Sequence, residues 1–146
     1  MDKIKFKIVT PERVVYESEV DQATIPTAQG EITVLPNHIP LVGVLRPGEL
    51  MIKKGKEEIT MAVSGGMIEV TKNMIVILAD TAEQAHEIDE QRAKEAKDRA
   101  LKLMSEKNRE DVDYTGLAIQ IEKELARLKV ARRHKGSAPF QMPVNN

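Results

Sequence analysis

The side chains whose types and spacing could do chemistry lie mostly in the second half of the chain. Asp89 and Arg92 stand three residues apart in Ile88-Asp89-Glu90-Gln91-Arg92-Ala93. On a helix that spacing is one turn, and taken alone it makes a surface ion pair worth about 0.2–0.5 kcal/mol. Further on, Arg127, Lys129, Arg132, Arg133 and Lys135 gather five cations. They either complement the negative pole of a helix C-terminus and stay solvated, or they meet an acidic partner. Other chemistries find no residues. Gly43 and Gly48 have the spacing of a phosphate loop, but Glu49 follows where a lysine is needed. His38, His86 and His134 have no metal-ligand spacing. Ser64-Gly65-Gly66 lacks the first glycine of a nucleophile elbow and reads better as a strand corner.

Composition narrows the classes. There is no cysteine, hence no disulfide framework and no thiolate chemistry, which fits a reducing compartment. The formal net charge is -1, so bulk electrostatics do not suggest nucleic acid. Phe6, Tyr16, Tyr114 and Phe140 are the only aromatic residues, too scattered for a platform on which bases stack. The first residues alternate lysine with apolar side chains, with no signal-peptide pattern. The apolar runs Ile39–Leu45 and Met74–Ala79 fall short of a membrane span. A soluble chain without direct membrane insertion is expected.

The elements that must position these groups follow from pattern. Gly30–Val42 organises the first half. A turn signal at Gly30-Glu31 leads into Ile32 and Val34, and Pro36 and Pro40 exclude a helix. The apolar Leu41–Leu45 must then bury itself as strand and corner. Ile4, Phe6 and Ile8 alternate with Lys5 and Lys7 as a half-buried strand. Val14–Val20 forms a second strand, and Asp21–Thr27 a third ended by Pro26. Arg46-Pro47-Gly48-Glu49 is a tight turn, and Leu50–Lys53 and Glu58–Val63 flank a hairpin at Lys54-Gly55-Lys56. Met67–Val70 and Met74–Ala79 complete the set. Strands every eight to twelve residues with glycine or proline corners predict an antiparallel sandwich or barrel.

At Thr81 the composition switches to alanine, glutamate, lysine and arginine, the strong helix formers. Ala82, Ala85, Ile88, Ala93, Ala96, Ala100 and Leu103 share one helical face. Glu90–Lys94, Glu95–Arg99 and Asp98–Lys102 are spaced as i,i+4 ion pairs. A polar turn at 105–113 leads to a second helix capped by Asp111 or Asp113. Tyr114, Leu117, Ile121, Leu125 and Leu128 are its apolar stripe. The fold class expected is α+β. An N-terminal antiparallel two-sheet β-sandwich at 1–84 precedes a C-terminal antiparallel α-helical hairpin at 85–133 and a disordered tail at 134–146. Alanine methyls bury little, each about 0.8 kcal/mol at most. The hairpin is therefore expected to be marginal alone and to depend on the sandwich, a ligand or a partner for its arrangement.

Several of these stretches also carry a resemblance. Gly30–Leu41 resembles the G-E-L-G-x-x-P-G-H-x-P-L signature of the epsilon subunit of the bacterial and chloroplast F-type ATP synthase. Thr33 stands where that family usually has glycine, and Asn37 where glycine is common. Ser64–Val70 and Val76–Ala82 are similar to its S-G-G-x-x-E-V and V-x-L-A-D-x-A patterns. Ile88–Lys97 resembles its first helix, and Asp111–Tyr114 with Leu128–Val130 its second. The likeness runs from about residue 4 to about 130.

That resemblance implies a non-catalytic central-stalk (rotor) subunit of a proton- or sodium-driven ATP synthase. It would lie peripherally at the cytoplasmic face of the cell membrane and couple the catalytic head to the c ring. The implied partners are the gamma subunit, the c ring and the alpha and beta catalytic subunits. The hairpin would lie folded on the sandwich or extend into the head to block ATP hydrolysis. The resemblance further implies a regulatory rather than obligatory ATP, read near Ile88, Asp89 and Ala93. Arg92, Arg99 and Arg127 would meet its phosphates through the planar fork of arginine, and Glu83 aligns with another contact. Lys123 stands where tight binders have arginine; it keeps the charge but loses bidentate geometry. Against this stands the surface ion pair of Asp89 and Arg92. Glu31 and His38 would face the c ring, against an ordinary turn residue and a structural histidine. Arg127, Arg132 and Arg133 would meet an acidic segment of the beta subunits. A free-standing ATP-binding sensor whose hairpin closes on nucleotide is the alternative. An enzyme with its active site in the sandwich is the poorest reading, because no nucleophile, metal set or acid/base pair emerges.

Overall fold

The computed structural model describes residues 2–106 and 113–137. Eight strands come first: β1 (Ile4–Val9), β2 (Val14–Val20), β3 (Gln22–Thr27), β4 (Gly30–Val34), β5 (Leu41–Val44), β6 (Gly48–Lys54), β7 (Glu57–Val70) and β8 (Met74–Gln84). A single 3-10 turn at Ala85–Glu87 leads to α1 (Glu90–Ser105) and α2 (Tyr114–Ser137). The strands are ordered β2-β1-β8-β7-β6-β3-β4, with β5 also on β7. The result is the expected α+β class, a β-sandwich followed by two helices. One ladder departs from the antiparallel expectation: β1 runs parallel to β8, with Phe6 opposite Ile75 and Ile8 opposite Ile77.

β7 is the strand both layers share. Its first half pairs with β6, from Gly48 opposite Val63 to Lys54 opposite Glu57. Its second half pairs with β5, Val44 opposite Met67, and β8 follows it from Met61 to Val70. The expected corner at Ser64–Gly66 is thus a bend within one strand of 14 residues. Gly65 and Gly66 supply it with φ of 68° and 124°; a Cβ on Gly66 would overlap the Leu78 carbonyl. Asn37 takes the left-handed φ of 68° that its turn demands.

Alternation builds the core. Ile4, Phe6 and Ile8 are fully buried and meet Ile25, Leu50, Ile52, Ile68, Ile75 and Ile77 between the layers. Pro26 does not end β3; it pairs with Glu31 of β4, and the strand runs to Thr27. Its carbonyl accepts from the Arg46 amide on the side away from β4. The missing Pro26 donor therefore points beyond the β6 ladder, which stops at Thr24. Gly48 and Glu49 belong to β6, so the tight turn is shorter than expected.

The helices begin later than composition suggests. Thr81–Gln84 stay in β8, paired with β7, and Ala82 is buried in the sandwich core. Asp89 caps α1, its Oδ1 accepting from the Arg92 amide at 3.1 Å. The buried face of α1 is Ala93, Ala96 and Ala100, whereas Leu103 is 46% exposed. Asp113 caps α2, its Oδ1 accepting from the Gly116 amide at 2.9 Å. Asp111, the other candidate cap, and most of the polar turn lie outside the described residues. Helix α2 continues to Ser137, four residues past the expected boundary; residues 138–146 lie outside the described residues. α2 packs across β6 and β7, and α1 packs chiefly on α2. As the middle layer, α2 buries Ala126, Leu128, Val130 and Ala131, while Leu125 of the expected stripe points outward.

Candidate functional site

The seam between sandwich and α2 has little apolar surface. Ala126 and Val130 meet Ala62, with Ala85 and Ile88 packed around them. Ion pairs surround this patch. Arg127 directs Nε and Nη2 at the two carboxylate oxygens of Glu83 on β8 (2.7 and 3.2 Å) and Nη1 at Glu124 one turn back (2.7 Å). Burial works against the Arg127 charge, but the hydrogen bonds to Glu124 and Glu83 outweigh it and raise the guanidinium above its ordinary value. Arg133 makes a second fork with Glu49 of β6 (2.7 and 3.1 Å), and Lys129 approaches the same carboxylate at 3.5 Å. Arg46 pairs with Glu122 at 2.9 Å, Arg13 with Glu87 at 2.6 Å, and Arg132 joins the two helices through Glu90 at 3.1 Å.

Arg127 forms a wall between two clefts. One, of about 490 Å³, is lined by Arg92, Glu95, Ala96, Arg99 and Arg127. The other takes Glu83, Lys123 and Arg127 together with Thr10, Arg13 and Glu87. The structure therefore brings together Glu83, Arg92, Arg99, Lys123 and Arg127 from β8, α1 and α2. The remaining three residues line neither cleft. Asp89 spends its carboxylate on the helix cap, so its link to Arg92 is to the backbone amide rather than a side-chain ion pair. Ile88 packs against the seam and Ala93 is fully buried.

Glu31 is exposed on β4. His38 Nδ1 lies 2.7 Å from the Ile39 carbonyl, so Nδ1 is the protonated nitrogen. The stretch around them buries itself only in part: Val34 and Leu45 lie in the core and Ile32 and Leu41 pack against it, whereas Leu35 is 50% exposed, Ile39 75% and Val42 66%. Register extends this into a strip. Val44 stands opposite Met67, Met67 opposite Leu78, Leu78 opposite Val9 and Val9 opposite Val14. One apolar row thus crosses five strands, and Val44, Met67, Leu78 and Val14 are each at least half exposed along it.

Sequence reasoning missed Glu49, Glu122, Glu124 and Arg13 as seam residues. Glu124 is only 4% exposed on an otherwise polar stretch of helix, and no local pattern marks it. The three-residue step from Glu124 to Arg127 was the available signal. The outer strip could have been found from Met67 and Leu78, which occupy outward positions of alternating strands. Among the described residues, no group of three or more His, Asp or Glu could hold a metal ion, and no helix is long and apolar enough to cross a membrane.

Fold and seam together define a class: a β-sandwich carrying a docked helical hairpin, with its built surfaces made for contact. Comparison with known proteins gives the class its family. Residues 3–85 match the β-sandwich domain of the ATP synthase delta/epsilon chain, and residues 86–132 match its long α-helix domain. The ATP synthase epsilon chain of Dehalococcoides mccartyi is 43% identical over 135 residues, covering 92% of this chain and 96% of its own. That of Desulforamulus reducens is 44% identical over 127 residues, covering 87% and 96%. The chain belongs to the ATP synthase epsilon-chain family. A chain of the Euglena gracilis mitochondrial ATP synthase shares the fold with a TM-score of 0.70 at 24% identity, over 90% of this chain and 82% of that one.

Proposed function

We propose that the chain is a rotor subunit of an F-type ATP synthase, held at the membrane peripherally through its partners and itself non-catalytic. In this reading the sandwich binds the gamma subunit and the c ring, and the hairpin brakes ATP hydrolysis when it extends toward the alpha and beta subunits. The observation that carries the assembly is the apolar row from Val44 through Met67 and Leu78 to Val14. A strip of half-exposed valine, methionine and leucine continuous over five strands favours a permanent partner. A free-standing sensor gives no reason for it. The test is reconstitution with gamma. Met67→Glu should leave the fold intact and lower recovery of gamma by about tenfold or more; unchanged recovery would sink the assembly reading.

Nucleotide sensing belongs to the same proposal. Arg92 and Arg99 face the cleft beside Arg127, and among the described residues neither enters an ion pair with a carboxylate. Two unengaged guanidinium groups beside a third suit a polyphosphate. Arg127 would have to exchange Glu83 for phosphate oxygens, and Lys123 offers a single ammonium, so the affinity expected is modest. Calorimetric titration of the whole chain with ATP should give saturable binding that Arg92→Ala abolishes. Absence of binding at millimolar ATP would leave the arginines as solvated surface charge.

A further inference from the structure

The ion pairs across the seam are not equivalent. Arg132–Glu90 and Arg127–Glu124 lie within the hairpin and would travel with it. Arg46–Glu122 crosses the seam, but its side chains are 47% and 42% exposed, and such pairs contribute little. Glu83 loses one partner if the hairpin leaves, while Arg127 keeps Glu124. Glu49 differs from all of them. Its side chain is 9% exposed, it sits on the sheet at β6, and both cations on it, Arg133 and Lys129, come from α2. A desolvated carboxylate holding a bidentate guanidinium is the strong form of such a contact.

We propose that Glu49 is the latch of the hairpin: its carboxylate sets the balance between docked and released α2. The proposal rests on the reading that the hairpin leaves the sandwich, and it deepens that reading by naming the residue that governs the departure. On release, Glu49 regains water while Arg133 and Lys129 are left without its carboxylate. The apolar patch of Ala62, Ala126 and Val130 is too small to decide the position alone. Arg133 and Lys129 are 44% and 62% exposed, so salt reaches this contact from the cation side and weakens it.

The absence of native cysteine permits a direct test on the full chain. Spin labels are placed at Lys56→Cys, in the β6–β7 turn, and Lys102→Cys, on the outer side of α1, both exposed. The distance distribution is then recorded from low to high sodium chloride. The expected result is a docked population with a minor released one that grows with salt. Glu49→Gln, which keeps an acceptor oxygen but not the charge, should raise the released fraction about tenfold and flatten its salt dependence. Glu49→Arg should release the hairpin further, and adding Arg133→Glu should restore docking, which a merely structural role would not predict. Circular dichroism checks that each variant keeps its strands. A released fraction that answers to salt but not to Glu49→Gln overturns the latch and leaves the mobile hairpin standing. A single docked distance under every condition overturns both.

Discussion

The inside of the sandwich and the seam under the hairpin are two interfaces made from opposite materials. Inside, Phe6, Ile8, Ile25, Leu50, Ile52, Ile68, Ile75 and Ile77 are almost wholly removed from water. Removing apolar surface from water stabilises by about 25 cal/mol per Å², so eight such side chains outweigh anything at the seam. There, Ala62, Ala126 and Val130, with Ala85 and Ile88 beside them, and a set of carboxylate–guanidinium forks do the holding. The first interface is non-directional and indifferent to modest salt; the second is directional and charge-dependent. One part of the molecule holds by packing and the other by charge, which is the contrast that the proposed release of the hairpin needs.

Substitution can sharpen that contrast. Ile77→Ala removes a fully buried side chain and should cost about 2–5 kcal/mol, read as a fall in the urea midpoint followed by strand signals. If the loss were under about 1 kcal/mol, the sandwich would not be the rigid partner described. Arg127→Ala should act at the other interface. It strips Glu83 of its fork and leaves Glu124 buried without its cation, a change of about 1–3 kcal/mol. Lost amide-exchange protection confined to α2 and α1 is the expected signature. Equal loss of protection in β1 and β8 would show that the two interfaces are one cooperative unit, and the contrast would break.

What the residues revealed in advance divides along the same line. Alternation at Ile4, Phe6 and Ile8, and the turn at Asn37, announced the sandwich because apolar period and turn chemistry are local. The end of β8 was not legible. Thr81–Gln84 has the composition of a helix, but the ladder to β7 takes those residues, and tertiary pairing overrides propensity. The β5 end of the strip was hidden for a related reason: Leu41–Leu45 reads as core, and it is the strand's register that turns Val42 and Val44 outward. Of the cleft, Arg92, Arg99, Lys123, Arg127 and Glu83 were identifiable from the resemblance. Glu49 was not, since its partners Lys129 and Arg133 are some eighty positions away, and a long-range ion pair leaves no local pattern.

A charged contact within the sandwich supplies the smallest and most pH-specific test of the comparison. Asp21 accepts from Lys3 Nζ at 2.8 Å and from the Gly55 amide at 2.6 Å, tying the N-terminal strand and the β6–β7 turn to the start of β3. The Lys3 hydrogen bond first, and the Gly55 amide second, hold its carboxyl below the ordinary 3.8. A carboxylate with a depressed folded-state pKa contributes stability that is present above the unfolded value and disappears as the pH falls through the folded one. Asp21→Asn should therefore lower the melting temperature slightly at neutral pH. The gap from wild type should stay constant down to about pH 4 and then close as the medium is acidified further. The Lys3 and Asp21 side chains are 39% and 36% exposed, so their pair is open to screening by salt, and raising the ionic strength should shrink the same gap. A gap that ignored both pH and salt would mean that the Asp21→Asn substitution disturbs the β6–β7 turn by geometry.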